Sequence, residues 1–262
     1  MILQGSVYSE ALAMRTGLNV FIPDALEGRE DYRVIYLLHG LHGDSRMWFE
    51  NTMAAVFAKS GDAVIVAPEV GRSFYADMKH GYRYWTYVSG ELPGICRRIF
   101  NISAKPEDTG VIGCSMGGYG ALKTALAKPM DFGFCGAIAP ACLFFDEILK
   151  KLRLNAEEYG ASSPEAEALL NDFRNIFGED LQYTASDLIL ELAKKAASAQ
   201  IKPKIYTACG TQDGLLEENR RFDAEMRKLP FDWTYEEWNG AHDWLFFNAA
   251  LEKALKNWGV AS

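Results

Sequence analysis

The stretch "TGVIGCSMGGYGALKTALAK", residues 109–128, decides how the rest of the chain is read. Its first five residues are small or β-branched and read as a buried strand. From Gly117 onward, the alanine- and leucine-bearing part reads as a helix that stops at Pro129. Between them lies Gly113-Cys114-Ser115-Met116-Gly117, a G-x-S-x-G pentapeptide. The pentapeptide alone is a weak signal. A strand before it and a helix after it strengthen it, because a nucleophile elbow stands at that junction. The elbow is a sharp turn that crowds the residues two before and two after the nucleophile. For Ser115 those neighbours are Gly113 and Gly117; for Cys114 they are Ile112 and Met116. Sterics therefore select Ser115 as the nucleophile. Cys114 is left as a small apolar group directed into the core.

A serine hydroxyl needs a base, and the base needs a carboxylate to orient it. In strand-elbow-helix enzymes the chain order is serine, acid, histidine. The chain has four histidines, and only His242 follows Ser115, in the loop "NGAHDW". The acid belongs in the loop after the preceding parallel strand. There "IYTACGTQDGLL", residues 205–216, offers Asp213. Glu217 and Glu218 are weaker candidates because they fall inside the following helix, and Asp243 suits the N-cap of the last helix. Two backbone donors are expected for the oxyanion: the N–H of Met116 and that of Leu41 in "YLLHGLHGDS", residues 36–45. His39-x-x-His42 lies in the same loop. No Glu lies within it and no cysteine cluster follows, whereas zinc needs three or four ligands. No metal is expected, and His39 is read as holding the loop by hydrogen bonds. "GCSMGG" also lacks the Lys-Ser/Thr of a phosphate-binding loop.

Working outward, residues 17–23, 33–40, 63–69, 132–140, 202–210 and 231–238 read as further strands. Residues 45–61, parts of 81–100, 214–229 and 242–259 read as helices. Strands alternating with helices predict an α/β fold, a mostly parallel sheet with helices on both faces. The whole chain, 1–262, reads as a single domain. The strands at 17–23 and 33–40 have no crossover helix between them, so an antiparallel edge is expected there. Residues 141–200 are mostly helical in pattern and too long for an ordinary crossover. They are read as an inserted lid over the C-terminal end of the sheet, the alternative being extra helices packed on its side.

The totals bound the class. With 262 residues, 49% of them hydrophobic, the chain can bury a large core. No apolar run is long enough for a membrane span, and the first residues do not resemble a leader peptide. Net charge is −8 and the basic pairs are scattered, which excludes a nucleic-acid-binding stripe. Five cysteines without a C-x-x-C point to free thiols in a reducing compartment, hence the cytoplasm.

Five segments together resemble one family: "YLLHGLHGD", "GYRYWTYVSGELP", "GCSMGGYGA", "KIYTACGTQDGLLEENRRF" and "WNGAHDWLFF". They look like the esterase D type of α/β-hydrolase. That group includes tributyrin esterases, S-formylglutathione hydrolases, and the feruloyl and acetyl-xylan esterases of carbohydrate esterase family 1. The likeness spans nearly the whole chain, is weakest over 141–200, and is nearest the intracellular tributyrin-esterase branch of bacteria. It implies the α/β-hydrolase fold and a carboxylesterase without cofactor, with Ser115, Asp213 and His242 as its triad. It also supports Leu41 and Met116 as oxyanion donors. A small ester with a short acyl or aryl-acyl group would be the substrate, and many members are homo-oligomers. An S-formylglutathione thioesterase is the alternative within the group. A non-catalytic scaffold is the remote one, disfavoured by the intact Ser-Asp-His set. Cys114 departs from relatives that carry His or another residue there. Among the aromatics, Trp48, Tyr84 and Trp85 are the leading candidates for substrate contacts. Phe49, Phe74, Tyr75, Tyr82 and the insertion's Phe144 and Phe145 are further candidates, and a core role for most of them is the competing reading.

Overall fold

The computed structural model describes residues 1–24 and 30–260. Among these residues the strands are β1 (Ile2–Ser9), β2 (Met14–Phe21), β3 (Arg33–Leu38), β4 (Ala63–Pro68), β5 (Thr109–Cys114), β6 (Phe134–Ile138), β7 (Lys204–Gly210) and β8 (Trp233–Trp238). They form one sheet in the order β1-β2-β4-β3-β5-β6-β7-β8. From β4 to β8 every neighbouring pair is parallel. This is the α/β-hydrolase arrangement, with β5 near the centre.

The antiparallel edge differs in detail from the expectation. It consists of β1 and β2, with β2 antiparallel to β4, while β3 lies inside the parallel part. The reason is burial. Val34 to Leu38 of β3 are all buried, as a central strand covered on both faces must be. β1 is mostly exposed, and its apolar residues fall in adjacent pairs, Ile2-Leu3 and Val7-Tyr8, so it lacks the alternation that marks a half-buried strand.

The helices are α1 (Met47–Asn51), α2 (Ala54–Lys59), α3 (Tyr84–Thr86), α4 (Leu92–Ile99), α5 (Met116–Ala127), α6 (Phe145–Gly160), α7 (Pro164–Phe177), α8 (Ile189–Ala196), α9 (Leu216–Met226) and α10 (Trp244–Trp258). The single helix expected over 45–61 is therefore two. Side chains interrupt it: Thr52 Oγ1 accepts from Ala54 N at 3.2 Å, and Asn248 Oδ1 accepts from Met53 N at 2.7 Å. These bonds satisfy donors that a continuous helix would use internally. α1, α2 and α10 cover one face of the sheet, where Trp48, Ala58, Phe247 and Leu251 are buried. α5 and α9 cover the other, with Tyr119, Leu122, Phe222 and Met226.

The insertion after β6 is tied to that second face. Phe145 and Phe173 pack edge-on or tilted against Phe74, at 5.4 and 5.3 Å between centroids. Phe145 also packs on Tyr119 at 5.0 Å. Lys123 of α5, almost fully buried, pairs with Asp187 at 2.9 Å, and the Tyr119 hydroxyl donates to the Asp187 carbonyl at 2.9 Å. Arg72 grips Asp172 of α7 through Nε and Nη2 at 2.9 and 2.7 Å. α8 packs on α5, while the first turns of α7 face the loop after β3 across a space lined by Leu41, His42, Pro164 and Leu169.

The loop after β3 is anchored on one carboxylate. Glu69, just past β4, accepts from Ser45 N at 3.0 Å and Gly71 N at 2.9 Å, and its Oε1 lies 3.4 Å from His39 Nε2. Burial alone would raise the Glu69 pKa. The His39 imidazole and the two N–H donors outweigh it and bring the value to about 2, against 4.5 ordinarily.

Two predictions follow from these ties. Because the folded Glu69 pKa lies below the unfolded one, its contribution to stability is complete above about pH 4.5 and fades as pH falls toward 2. Glu69→Gln should therefore melt lower than wild type at pH 7, with the gap narrowing below about pH 4.5 and closing only below about pH 2. Melting temperatures that stay parallel across that range would refute it. Lys123→Met leaves Asp187 buried without its cation and should cost about 3–5 kcal/mol in denaturant unfolding. Adding Asp187→Leu should restore much of that loss.

Candidate active site

β5 ends at Cys114 and α5 begins at Met116, so Ser115 is the whole of the turn. Its backbone sits at φ 55°, ψ −121°, a conformation that costs a non-glycine residue on the order of 1–3 kcal/mol. Three hydrogen bonds hold it. Ser115 N donates to Ile138 O at 2.9 Å, and its carbonyl accepts from Tyr119 N and Ala141 N at 3.1 and 3.2 Å. The flanking glycines are required by close approach. A Cβ on Gly113 would lie 2.2 Å from Gly117 O, and one on Gly117 would lie 2.2 Å from Leu38 O. Strand, helix and β3 thus meet with no room for a side chain, and the Ser115 side chain is left at the surface of a cleft.

Cys114 points the other way. It is buried, and desolvation pushes its thiol up to about 12, with only small opposing help from the Gly40 and Cys114 backbone. A thiolate is scarce there at neutral pH, so this sulfur is a poor nucleophile.

His242 stands on the loop between β8 and α10. Its Nδ1 is 2.7 Å from Asp213 Oδ2. The Asp213 side chain is 1% exposed and the imidazole 36% exposed, so the carboxylate is sealed while the ring faces the cleft. Asp213 follows β7 and spends its other oxygen on Leu215 N at 2.9 Å. With Nδ1–H given to Asp213, Nε2 is the nitrogen left to accept a proton. Phe247 meets the ring edge-on at 5.1 Å and limits its rotation. The other acids are engaged elsewhere. Glu217 pairs with Arg220, Glu218 accepts from Leu143 N at 2.7 Å, and Asp243 caps α10 by accepting from Phe246 N at 3.0 Å.

Ser115 and His242 line one cleft of about 180 Å³ together with Leu41, Met47, Trp244 and Phe247. Its floor is the tight turn from Gly40 to Gly43, closed by Gly43 N on Gly40 O at 3.1 Å. Gly40 packs so near that a Cβ there would stand 3.4 Å from Ser115 Cβ. Leu41 N lies within this turn. Met116 N is in the first turn of α5, where helix N–H groups have no intrahelical acceptor and the helix dipole is positive. His39 is buried beneath the turn. Its Nδ1 bonds Gly40 O at 2.8 Å, its Nε2 lies 3.2 Å from Val70 N and 3.4 Å from Glu69 Oε1, and its carbonyl takes the Tyr75 hydroxyl at 2.9 Å.

The aromatic candidates lie elsewhere. Trp48 is fully buried and donates Nε1 to Leu38 O at 3.0 Å. It reaches the cleft only indirectly, by packing on Trp244 at 5.4 Å. Tyr84 packs on Tyr82, and Trp85 lies under the Lys123 ammonium. Phe74, Tyr75 and Phe145 are buried, and Arg221 stacks on Phe144. The apolar walls of the cleft, Met47, Trp244 and Phe247, were not singled out by the sequence. The signal for two of them was present: Trp244 and Phe247 follow His242 by two and five positions, where a helix start turns them toward it.

Known proteins share this architecture. The profile of the family described as putative esterase matches residues 9–258. An acetyl esterase of Caldicellulosiruptor saccharolyticus is 30% identical over 269 residues, covering 97% of this chain and 97% of its own. Among solved structures, the fluorophosphonate-binding serine hydrolase FphF of Staphylococcus aureus superposes with a TM-score of 0.83 at 24% identity, covering 100% of this chain and 99% of that one. The S-formylglutathione hydrolase FrmB of the same organism gives 0.80 at 24%, over 99% and 98%. These two likenesses show the fold. The family match and the acetyl esterase that aligns end to end establish that this chain belongs to the putative esterase family and is a carboxylic ester hydrolase of the α/β-hydrolase fold.

Proposed function

We propose that Ser115, His242 and Asp213 form the catalytic triad and that Leu41 and Met116 provide the oxyanion donors. The observation that carries this reading is the 2.7 Å bond from His242 to a sealed Asp213, with the same imidazole sharing a cleft with the strained Ser115. Ser115 Oγ attacks the ester carbonyl while His242 Nε2 takes its proton. Asp213 stabilises the imidazolium, and the N–H groups of Leu41 and Met116 receive the oxyanion. Collapse breaks the carbonyl–alkoxy bond, and His242 returns the proton to the departing alcohol. Water, activated by the same histidine, then releases the acid.

We infer that the cleft at Ser115 itself accepts short acyl groups. The cleft at Ser115 is small and walled by Met47, Trp244 and Phe247, and the relative that aligns end to end is named an acetyl esterase. The described cysteines carry no disulfide, and no helix among the described residues is long and apolar enough to cross a membrane. Both observations support a cytoplasmic location. The homo-oligomer implied by the family resemblance belongs to the same reading, and the unpaired edge of β1 offers one surface for it.

Ser115→Ala should reduce p-nitrophenyl acetate hydrolysis to background while the melting temperature is retained. Persistent turnover in a purified preparation would exclude Ser115 as nucleophile. Asp213→Asn should keep the fold and lower kcat on the order of 10⁴-fold, the loss seen when a triad histidine is left in the wrong tautomer. Glu218→Gln, assayed beside it, should stay within a few-fold of wild type. The opposite ranking would transfer the role to Glu218.

A further inference from the structure

A second concavity lies in the insertion, between α6 and α7. It encloses about 310 Å³ and its wall is largely apolar, formed by Cys142, Ile148, Leu152, Tyr159, Leu169 and Phe173. The exposed Lys151 and Asn155 mark its solvent side. Nothing in the ester chemistry at Ser115 accounts for it. It is also a costly feature, since apolar walls left without packing partners forfeit dispersion contacts. α6 bends at this place. Asn155 adopts φ −132°, ψ 25° inside the helix, with no proline or glycine at or before it to force the break.

Two wall residues lead from this cavity back to the serine. Leu169 also lines the space of about 370 Å³ in front of Leu41 and His42, the turn that floors the Ser115 cleft. Cys142 directly follows Ala141, whose N–H is bonded to the Ser115 carbonyl at 3.2 Å. Cys142 itself is held at φ 57°, so the chain leaving the serine turns sharply at the cavity wall. The direction matches the chemistry. The departing alcohol must take its proton from His242, so it occupies the side walled by His242, Trp244 and Phe247. The acyl chain leaves the carbonyl carbon on another side, and the space lined by Leu41 and Leu169 adjoins the cleft there.

We propose that the cavity between α6 and α7 receives the distal methylenes of an aliphatic acyl chain whose carbonyl is held at Ser115, with Leu169 at the bend. The inference rests on the triad reading above and extends it: short acyl groups stop at the cleft, and chains of six to eight carbons continue into the insertion. Each methylene moved from water into this wall should raise kcat/KM about fourfold.

The test is a series of p-nitrophenyl esters, acetate through octanoate, on the wild type and on Ile148→Trp, which fills the cavity away from the triad. In the wild type kcat/KM should climb from butyrate to octanoate. In Ile148→Trp the octanoate value should fall at least tenfold while acetate stays within about twofold. A flat wild-type profile, or equal losses on acetate and octanoate in a variant that melts like wild type, would overturn the proposal. Should Ile148→Trp fail to fold, the wild-type series decides alone, and competition of octanoate ion against acetate ester hydrolysis gives a second reading: inhibition much stronger than by butyrate ion supports the cavity, equal inhibition refutes it. Ser115→Ala run on acetate separates the two levels. Ser115-dependent turnover with no chain-length response removes the cavity and leaves the triad, whereas Ser115-independent turnover removes the triad.

Discussion

The close crossing of Gly113, Gly117 and the end of β3 governs the rest of this molecule. Two backbone segments and a carbonyl oxygen occupy a space where one extra methyl would collide at about 2.2 Å. That crossing forces the chain from strand to helix within one residue and holds Ser115 at a positive φ. The strain is sustained by the surrounding core, since β5 is paired on both sides and α5 is buried along almost its whole length. Relaxing the turn would move the hydroxyl within the cleft it shares with His242. It would also move Met116 N and the Gly40 turn, because all three meet at the same point.

The remaining groups arrive by the same topological rule. Parallel strands deliver their following loops to one end of the sheet, so the loops after β3, β5, β7 and β8 converge although they lie far apart in sequence. Hydrogen bonding then separates two carboxylates. Asp213, buried, faces the His242 imidazole and gives its other oxygen to Leu215 N. Glu69, half-buried, sits under the Gly40 turn and is used up by Ser45 N, Gly71 N and His39, so it shapes the loop without facing the cleft.

The sequence was most legible where geometry leaves few options. Small residues on both sides of Ser115, a single histidine downstream of it and an aspartate at a strand end marked the groups that the fold brings together. Legibility fell where tertiary contacts decide. β1 is mostly exposed and its apolar residues do not alternate, so periodicity could not mark it. The break at Thr52 and Met53 depends on Asn248, almost 200 residues away in the chain. The aromatics left pocket wall and core both open, because bulk alone does not say which face a residue occupies. Trp48 is large and near the oxyanion turn in sequence, yet its indole N–H is drawn to a core carbonyl and the ring is sealed. The insertion read as helical, but which part packs on α5 and which part faces Leu41 is set by Lys123, Arg72 and Phe74, all outside it.

Cys114 gives the crossing a further meaning. A sulfur lies one residue from the Ser115 hydroxyl, yet burial and backbone register withhold it from chemistry. Converting this scaffold to a thiol enzyme is therefore not a matter of using the thiol already present. Sliding the nucleophile by one position would require the glycines to slide with it, and β3 and α5 to be refitted around them. Exchange in place at position 115 needs no such refitting. The backbone thus fixes where the nucleophile stands and leaves open only which atom fills the place. Alkylating agents that seek thiols should pass over Cys114, whose sulfur is buried.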